Sequence, residues 1–357
     1  MKIELKYPYN IQSRDLSIFD AEKIYNSKLS KVKSFKRVFV SHEGLVLKNF
    51  FLYKRSAYNL SGRRDINFYF PYWREVLEKY VVCRYGKSLK SVDFLNENYS
   101  IIHTKWFNYA FWMNDSIYRC IILEEKFDKN EFILLVPRSI YEIPFVRETL
   151  DIFEFRVQIL ETDIHCFISN LILPQTRKYT SSFHPKAIQS IKNRLLPIAL
   201  ERTKIIRFPE KIYLSRKKRE VRSLVNEDEV ENFLLESGFT ILSFEDLSVW
   251  DQIAYMQHAD WFISNHGAGF TNCIFMKEGA NVLEFLEYDF AHYGNPLPHW
   301  KLASSSQLKY HYLLGVSSET KFIKHVKNIF TSSSKRMSLV NRKIRIDIDE
   351  LKKIINE

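Results

Sequence analysis

The residues of this chain whose types and spacing favour chemistry lie in one segment between Trp261 and Phe285. That segment reads H-G-A-G-F-T-N at positions 266–272, between two apolar runs. Glycines at 267 and 269 let backbone N–H groups approach an anion, because no Cβ stands in the way. A helix that begins after the glycines would add unpaired N–H groups and the positive end of its dipole. The segment therefore predicts a phosphate-binding turn.

Side-chain and backbone donors surround this turn. The residues expected to contact a diphosphate are His266, Gly267, Ala268, Gly269, Thr271 and Asn272. Thr271 and Asn272 have a second interpretation, since both residue types also cap helices. The motif lacks the G-x-G-x-x-G spacing of a dinucleotide fingerprint and the lysine of a P-loop. A simple tight turn after a strand is therefore an alternative.

The elements around the motif decide between these interpretations. Short apolar runs alternate with amphipathic stretches, which predicts a doubly wound parallel sheet. The expected strands are Ile212–Ser215, Phe239–Phe244, Trp261–Ser264 and Val282–Phe285, and the expected helices are Glu227–Glu236, Leu247–His258 and a short one after Gly269.

Polar residues recur where these strands end. Arg216, Glu245, His266 and Glu284 each stand at or near the carboxyl end of one expected strand. Ligands of such sheets bind at that edge, so the repeated placement favours a nucleotide site over a simple turn. The planar fork of Arg216 suits phosphate oxygens, whereas Lys217–Arg219 are expected to be solvated. Glu284 is expected to accept from ribose hydroxyls, or alternatively to form a salt bridge.

Length and composition limit the remaining possibilities. A chain of 357 residues with 46% hydrophobic residues predicts about two domains. We expect a domain at 1–205, a nucleotide-binding domain at 206–330, and a basic loop, strand and terminal helix at 331–357. Four scattered cysteines without a C-x-x-C pair argue against a zinc ribbon or a disulfide framework, and favour an intracellular setting.

The charge of the chain predicts anionic partners. The net charge is +11 and the pI is about 9.2, with basic clusters at 31–37, 216–219 and 335–343. Nucleotides, anionic lipid surfaces and nucleic acid all fit this excess. Nucleic acid is the least favoured partner, because most aromatic residues lie within apolar runs rather than between basic ones. The N-terminus has no apolar signal segment, so we expect a cytoplasmic protein that is soluble or peripheral on the inner face of the membrane.

Several of these residues together resemble a known family. The segments 213–217 (Y-L-S-R-K), 266–272 and 282–284, with Arg222, Asn226, Glu227 and Gln252, are similar to the C-terminal domain of glycosyltransferase family 61. This family includes plant xylan-decorating transferases, eukaryotic protein-linked N-acetylglucosamine transferases and bacterial capsule-polysaccharide enzymes. A second segment, N-Y-A-F-W-M-N-D at 108–115 with Arg119 behind it, resembles the family's N-Y-Y-H-W-L-x-D/E. Phe111 replaces the usual histidine there, and Asp115 keeps the acidic position.

The resemblance implies an α/β fold of the GT-B type, with two Rossmann-like domains facing a central cleft. It also implies transfer of a sugar with inversion, from a nucleotide-sugar donor to a glycan or lipid-linked glycan, without a cofactor or an essential metal. The D-x-D common in metal-dependent sugar transferases occurs here only as Asp347-Ile348-Asp349, where a strand end or helix cap is expected. The expected role is bacterial capsule or other surface-polysaccharide synthesis. An inactive relative that still binds nucleotide is an alternative, as is a basic nucleic-acid-binding protein.

Inverting transfer requires a base that takes the proton of the acceptor hydroxyl. We expect Asp115 to be that base, because its helix carries the family-like segment. An equally open interpretation is that Asp115 pairs with Arg119, four residues further along the same helix. His165 and His184 are reserve candidates, although His184 before Pro185 also fits the start of a helix.

Overall fold

The computed structural model describes residues 1–58, 66–86, 88–217, 221–292, 297–317 and 338–356. The chain forms two compact units. Unit 1 contains Met1–Asn26 and Leu195–Glu357, and unit 2 contains Ser27–Arg194. The basic loop expected at 331–336 lies outside the described residues, as do Lys218 and Arg219.

Fifteen strands are present in the described part of the chain. They are β1 (Lys2–Glu4), β2 (Ile24–Asn26), β3 (Val32–Val40), β4 (Val46–Lys48), β5 (Phe51–Leu52), β6 (Ser91–Phe94), β7 (Tyr99–Ser100), β8 (Ile133–Pro137), β9 (Arg156–Leu160), β10 (His165–Pro174), β11 (Lys211–Leu214), β12 (Thr240–Leu242), β13 (Trp261–Asn265), β14 (Asn281–Glu287) and β15 (Lys309–Gly315).

The α-helices are α1 (Leu16–Asp20), α2 (Ile66–Tyr85), α3 (Tyr109–Phe111), α4 (Ile117–Lys126), α5 (Arg138–Tyr141), α6 (Pro144–Leu150), α7 (Pro185–Arg202), α8 (Glu227–Glu236), α9 (Val249–His258), α10 (Tyr288–His292), α11 (Pro298–Ser305) and α12 (Ile348–Asn356). A π-helical turn, Trp112–Ser116, joins α3 to α4. A 3-10 helix, Ala268–Phe275, follows β13. No helix among the described residues is both long enough and apolar enough to cross a membrane.

Unit 1 is built on a parallel sheet with the strand order β12-β11-β13-β14-β15. The alternation of strands and helices after residue 206 predicts this sheet, because parallel neighbours require crossover connections. Its central strands are apolar on both faces, as the buried Phe262, Ile263, Val282 and Leu283 show. Such continuous apolar runs are typical of a parallel strand covered on both sides.

The N-terminal 26 residues belong to unit 1, whereas the sequence interpretation grouped them with the rest of 1–205. Phe19 is fully buried and packs its ring against Trp300 of α11 and Tyr312 of β15. Backbone hydrogen bonding adds to this packing, since the Tyr9 N–H donates to the Tyr310 carbonyl. The physical cause is therefore a long-range aromatic contact, which local sequence pattern does not reveal. The other unit boundary falls inside α7 rather than at residue 205.

Unit 2 contains a mixed sheet of eight strands rather than a purely parallel one. Strands β6 to β10 pair in parallel, whereas β3, β4 and β5 pair antiparallel. The connection between β4 and β5 has only two residues, a length that permits only antiparallel pairing. The expectation of two Rossmann-like domains therefore describes unit 1 better than unit 2. Both units remain α/β.

The strand expected within 331–357, which we place at Ile344–Ile348, is not present as a continuous strand. Only two isolated bridges form there, Leu224 with Ile344 and Val316 with Arg345. The α12 helix begins at Ile348, and Asp347 accepts from the backbone N–H groups of Asp349 and Glu350. The first aspartate of the D-x-D therefore caps the helix, as the sequence interpretation allowed.

Candidate functional site

The carboxyl edge of the unit 1 sheet brings Arg216 and the glycine turn together. The chain leaves β11 for β12 on one side and returns to β13 on the other, so the order reverses between β11 and β13. Ligands of doubly wound sheets bind at such a point. Arg216 follows β11, and a Cβ built on Gly267 would lie 2.5 Å from its Nη1. Glycine at 267 is therefore explained by the close approach of the guanidinium.

A second arginine reaches the same region. Arg222 has a backbone φ of 61°, a left-handed conformation that non-glycine residues rarely adopt. Its carbonyl accepts from Asn265 Nδ2 at 2.8 Å, and its Nε donates to Asn341 Oδ1 at 3.1 Å. Burial and the positive charge of Arg216 lower the pKa of Arg222. Two mutually repelling guanidiniums beside one turn favour binding of an anion.

His266 belongs to a buried hydrogen-bonded cluster. Its Nδ1 lies 2.5 Å from Glu284 Oε1, and Nδ1 of His299 lies 2.6 Å from the same oxygen. The Tyr310 hydroxyl donates to Glu284 Oε2 at 2.6 Å. Three side chains therefore saturate Glu284, which is 1% exposed. The expected ribose contact of Glu284 is not available in this arrangement, and β14 continues past Glu284 to Glu287.

Burial, charge and hydrogen bonding together set the protonation states of Glu284 and His266. Burial favours the neutral form of Glu284, but the charges and hydrogen bonds of His299 and His266 outweigh it and hold the pKa of Glu284 well below its usual range. Burial lowers the pKa of His266 to about 4, although Glu284 acts in the opposite direction. At neutral pH, His266 is therefore a neutral imidazole whose Nδ1–H donates to an ionised Glu284. This tautomer leaves Nε2 as an acceptor, and Nε2 donates only when the ring is protonated.

His266, Glu284 and His299 also form a set of residue types that bind metal ions. In a tetrahedral zinc site, bonds of about 2.1 Å would separate neighbouring ligand atoms by about 3.4 Å. The 2.5 and 2.6 Å separations found here are those of hydrogen bonds. We therefore describe the set as a hydrogen-bonded cluster that orients His266.

The other predicted contacts of the turn divide between the interior and the surface. Thr271 and Asn272 are buried, and Asn272 Nδ2 donates to Gln252 Oε1 at 3.1 Å. Both residues lie inside the 3-10 helix rather than at its start, which removes the cap role, and the diphosphate contact expected of them stays a prediction. A Cβ on Gly269 would meet Leu214 Cδ2 at 2.6 Å, so this glycine permits packing of the 3-10 helix on β11.

Ala268 and Glu245 are the remaining predicted contacts. Ala268 is partly exposed and is the first residue of the 3-10 helix, which replaces the helix expected after Gly269. Glu245 is exposed in a short 3-10 turn after β12 and accepts from Ser243 Oγ at 3.0 Å. Both residues lie beyond carboxyl ends of strands in the unit 1 sheet.

Asp115 lies in the π-helical turn of unit 2 and is 2% exposed. Its Oδ1 accepts from the Arg177 backbone N–H at 3.1 Å. Its Oδ2 is buried with no donor in hydrogen-bond geometry among the described residues, although the buried Tyr58 hydroxyl lies close enough to interact with this carboxylate. Arg119 instead donates to the backbone carbonyls of residues 101, 102 and 174, which removes the expected Asp115–Arg119 pairing. π-helical turns are frequent at functional sites, and an unsatisfied buried carboxylate oxygen is uncommon.

Aromatic rings surround Asp115 and the guanidinium of Arg177. Phe111, at the position of the family histidine, stacks on Tyr58 with ring centroids 4.9 Å apart. The Arg177 guanidinium lies 4.6 Å from the ring centroid of Phe183 and 5.5 Å from that of Tyr58. Burial, followed by the charge of Asp115, raises the pKa of Tyr58 well above its ordinary value. Asp115 therefore lies in a mostly apolar environment beside a buried cation.

A small cavity of about 20 Å³ adjoins Asp115 and Arg177. This volume is about that needed for one water and is smaller than a sugar. His184 lines the same cavity and begins α7, where its Nδ1 accepts from the Lys186 N–H. His165, the other reserve candidate, accepts from the His42 N–H at 3.0 Å and is buried. Asp115 is thus the better placed of the three for a chemical role.

Comparison with known proteins identifies a family for part of this chain. The model of the family described as glycosyltransferase 61 matches residues 109–283. This region belongs to glycosyltransferase family 61. The match includes Asp115, Arg216, Arg222, His266 and the glycine turn, and it ends one residue before Glu284. A search of curated proteins finds no match. The family assignment indicates glycosyltransferase activity, and with it a sugar donor and an acceptor.

Sequence reasoning missed several residues of these clusters. Arg222 stands in the family-like segment, but the sequence interpretation gave it no role. Its position after a strand and close to Arg216 was the available signal. His299 and Tyr310 carry no local motif, and only the fold brings them to Glu284. Arg177 comes a few residues after the end of β10, as Arg216 comes shortly after the end of β11.

Proposed function

We propose that this glycosyltransferase family 61 protein takes a sugar from a nucleotide-sugar donor and transfers it with inversion to a glycan or lipid-linked glycan. The single observation that carries the proposal is the approach of the Arg216 guanidinium to Gly267 at the point where the strand order reverses, with His266 next to that glycine and Arg222 bonded to Asn265. A GT-B arrangement, independence of metal and a role in bacterial surface-polysaccharide assembly in the cytoplasm are parts of the same proposal. They rest on the family resemblance.

The diphosphate of the donor is proposed to lie at this cationic edge. Negative charge develops on the leaving diphosphate, and preorganised donors stabilise it. Arg216 and Arg222 supply permanent charge, and Gly267 and Ala268 supply backbone N–H groups at the start of the 3-10 helix. His266 becomes a donor when a nearby phosphate favours its protonated form. Glu284 stabilises that form and fixes the ring.

Asp115 is the proposed base. An inverting mechanism deprotonates the acceptor hydroxyl during in-line attack. The unsatisfied Oδ2 of Asp115 supports this role, because a free lone pair is what a base requires. The cavity beside Asp115 admits only a molecule of about the size of water, so the proposal includes an opening of this region when acceptor binds.

The donor site is tested by calorimetric titration with uridine and guanosine diphosphates, after a thermal-shift screen of nucleoside diphosphates and their sugar conjugates. We expect Arg216→Ala to weaken binding by about 1.5–3 kcal/mol, the scale of a charged hydrogen bond. The matched control is Lys217→Ala, because Lys217 is exposed and pairs with Asp228 and Glu231. Equal affinities of the two variants would remove Arg216 from the site.

The same titration examines the role of His266. If phosphate draws a proton onto His266, binding takes up protons from the buffer, and the uptake is largest between the pKa of the free ring and the higher pKa of the ring in the complex. Titrations in two buffers of different ionisation enthalpy measure this uptake. It should vanish in His266→Gln. Uptake that persists in that variant would assign the proton to another group.

Two alternatives make different predictions. An inactive relative binds nucleotide but hydrolyses and transfers no donor, with or without acceptor. A basic nucleic-acid-binding protein would bind random oligonucleotides with a steep dependence on salt. The metal part of the proposal is tested by activity after treatment with a chelator, which we expect to be unchanged.

A further inference from the structure

The surface of unit 2 carries an exposed hairpin tip that neither the donor site nor Asp115 uses. Strands β4 and β5 are joined by Asn49 and Phe50, whose φ angles are 49° and 64°. A two-residue connection with both φ angles positive is a type I′ turn, for which Asn-Gly is the favoured sequence. Phenylalanine at the second position is strained, because its Cβ disfavours the left-handed region. Strain of this kind is often retained at functional sites.

The strained turn exposes large apolar side chains. Phe50 is 59% exposed and Phe51 is 70% exposed. Phe50 also borders a groove of about 470 Å³ that Leu95, itself 60% exposed, lines with it. Trp73 Nε1 donates to the Phe50 carbonyl at 2.7 Å, and the exposed Phe70 packs against Trp73. We call the surface formed by Phe50, Phe51, Phe70 and Leu95 the Phe50 face.

Basic side chains border the Phe50 face. Exposed or partly exposed cations on the hairpin, just after it, on the adjoining strand β3 and on α2 include Lys36, Arg37, Lys48, Lys54 and Arg84. Arg37 and Arg84 line the groove together with one carboxylate, Asp93. The nearby carboxylates of Glu43, Glu75 and Glu78 are engaged in ion pairs with Lys79, Lys105 and Arg74. The surface is therefore apolar at its centre and cationic at its border.

We propose that the Phe50 face docks on an anionic lipid bilayer, with Phe50 and Phe51 in the interface and the basic side chains on the headgroups. Aromatic rings favour the membrane interface, and each basic residue near an anionic surface adds attraction. Charge complementarity selects this occupant over a second copy of the chain, because two such basic borders would repel each other. The inference does not depend on the transferase assignment.

Co-sedimentation of the whole protein with vesicles tests the proposal. The vesicles contain phosphatidylcholine alone, or phosphatidylcholine with about 30 mol% phosphatidylglycerol as the anionic component. Phe50→Gly creates the favoured Asn-Gly turn, so the fold is kept while the ring is removed. We expect this variant to bind anionic vesicles about tenfold more weakly than the wild type. The matched control is Leu235→Ser, which removes an exposed side chain of α8 in unit 1 and should bind as the wild type does.

A charge variant separates the two contributions. Arg37 has a φ of 51°, which asparagine tolerates well, so Arg37→Asn removes the charge without strain. We expect it to weaken binding to anionic vesicles about fivefold and to leave binding to neutral vesicles unchanged. Equal binding of wild type and Phe50→Gly would overturn the proposal, and so would a wild type that binds no vesicle. Sedimentation showing a dimer that Phe50→Gly dissolves, without lipid binding, would assign the face to self-association instead. Nucleoside-diphosphate affinity of Phe50→Gly should match the wild type whatever the lipid result.

Discussion

Glu284 in unit 1 and Asp115 in unit 2 are both carboxylates at 2% exposure or less, yet their surroundings differ in kind. His266, His299 and Tyr310 all donate to Glu284. Asp115 accepts one backbone N–H on Oδ1, and its Oδ2 has no donor in hydrogen-bond geometry among the described residues. One buried acid is saturated by its neighbours and the other is left incomplete.

The difference indicates two roles for buried acids. A carboxylate whose lone pairs are filled stabilises the fold and orients its donors, and its own reactivity is low. A carboxylate oxygen without a protein donor is open to a water or a ligand, and the cavity beside Asp115 has about the volume of one water. An oxygen in this state can contact a substrate during function. Glu284 is thus a positioning residue, and Asp115 is the proposed catalytic one.

The largest effect is expected at Glu284. Glu284→Met keeps the volume but leaves three buried donors without an acceptor, so the free energy of unfolding should fall by about 5 kcal/mol. Glu284→Gln keeps an acceptor for the histidines and can donate to Tyr310, and it should cost much less. Urea denaturation of both variants measures the difference. Similar losses in the two would show that the charge, and not the set of hydrogen bonds, stabilises the cluster.

At Asp115 we expect the reverse, namely a large loss of activity with little loss of stability. Asp115→Asn keeps the acceptor for the Arg177 N–H, so the free energy of unfolding should change by no more than about 1 kcal/mol. The sugar-transfer rate should fall about 10³-fold, or about 4 kcal/mol in barrier, as for loss of a general base. Steady-state transfer assays and urea denaturation of the same preparation give both numbers. A stable variant with full activity would make Asp115 structural and turn the search for the base toward the reserve candidates His165 and His184.

The pH dependence of stability should report the neutral state of His266. Its pKa is about 4 in the folded chain, below the ordinary value, so the unfolded state binds more protons between the two values. Stability is therefore complete above the unfolded pKa and declines as the pH falls toward 4. By pH 5 this one residue should cost about 2 kcal/mol relative to neutral pH. Denaturation midpoints of the wild type and His266→Gln between pH 7 and 5 should converge as the pH falls, and parallel curves would contradict the assignment.

Local sequence pattern was sufficient to predict the parallel sheet of unit 1 and the part of the site at its carboxyl edge. The apolar runs at 261–264 and 282–285 predict central strands, and residues that follow strands, such as Arg216 and His266, come together because parallel strands share their carboxyl edge. The same reasoning placed Glu284 at the end of its strand, whereas β14 runs two residues past the expected end at Phe285. Polar residues in the interior follow long-range packing, which a single sequence does not display.

The family-like residues illustrate the same limit. Gln252 and Asn272 bond each other, and Gln252 Nε2 also donates to the Phe244 carbonyl at 2.9 Å. Asn226 bonds both backbone groups of Ile346. These motif residues therefore hold loops of the fold in place. A motif shows which residues recur together, and only the packing separates those that bind a ligand from those that support it.

The smallest effects are expected at the two glycines of the turn, which resemble each other in sequence and differ in their neighbours. Gly267→Ala directs its Cβ at the end of the Arg216 side chain, which can move, so stability should change little while diphosphate affinity falls by about 1 kcal/mol. Gly269→Ala directs its Cβ at the buried Leu214, so stability should fall by about 1–2 kcal/mol with little change in affinity. Calorimetry and urea denaturation of the pair measure both quantities. If both variants lose affinity equally, the whole turn binds the ligand through its backbone, and the guanidinium of Arg216 contributes less than its contact with Gly267 indicates.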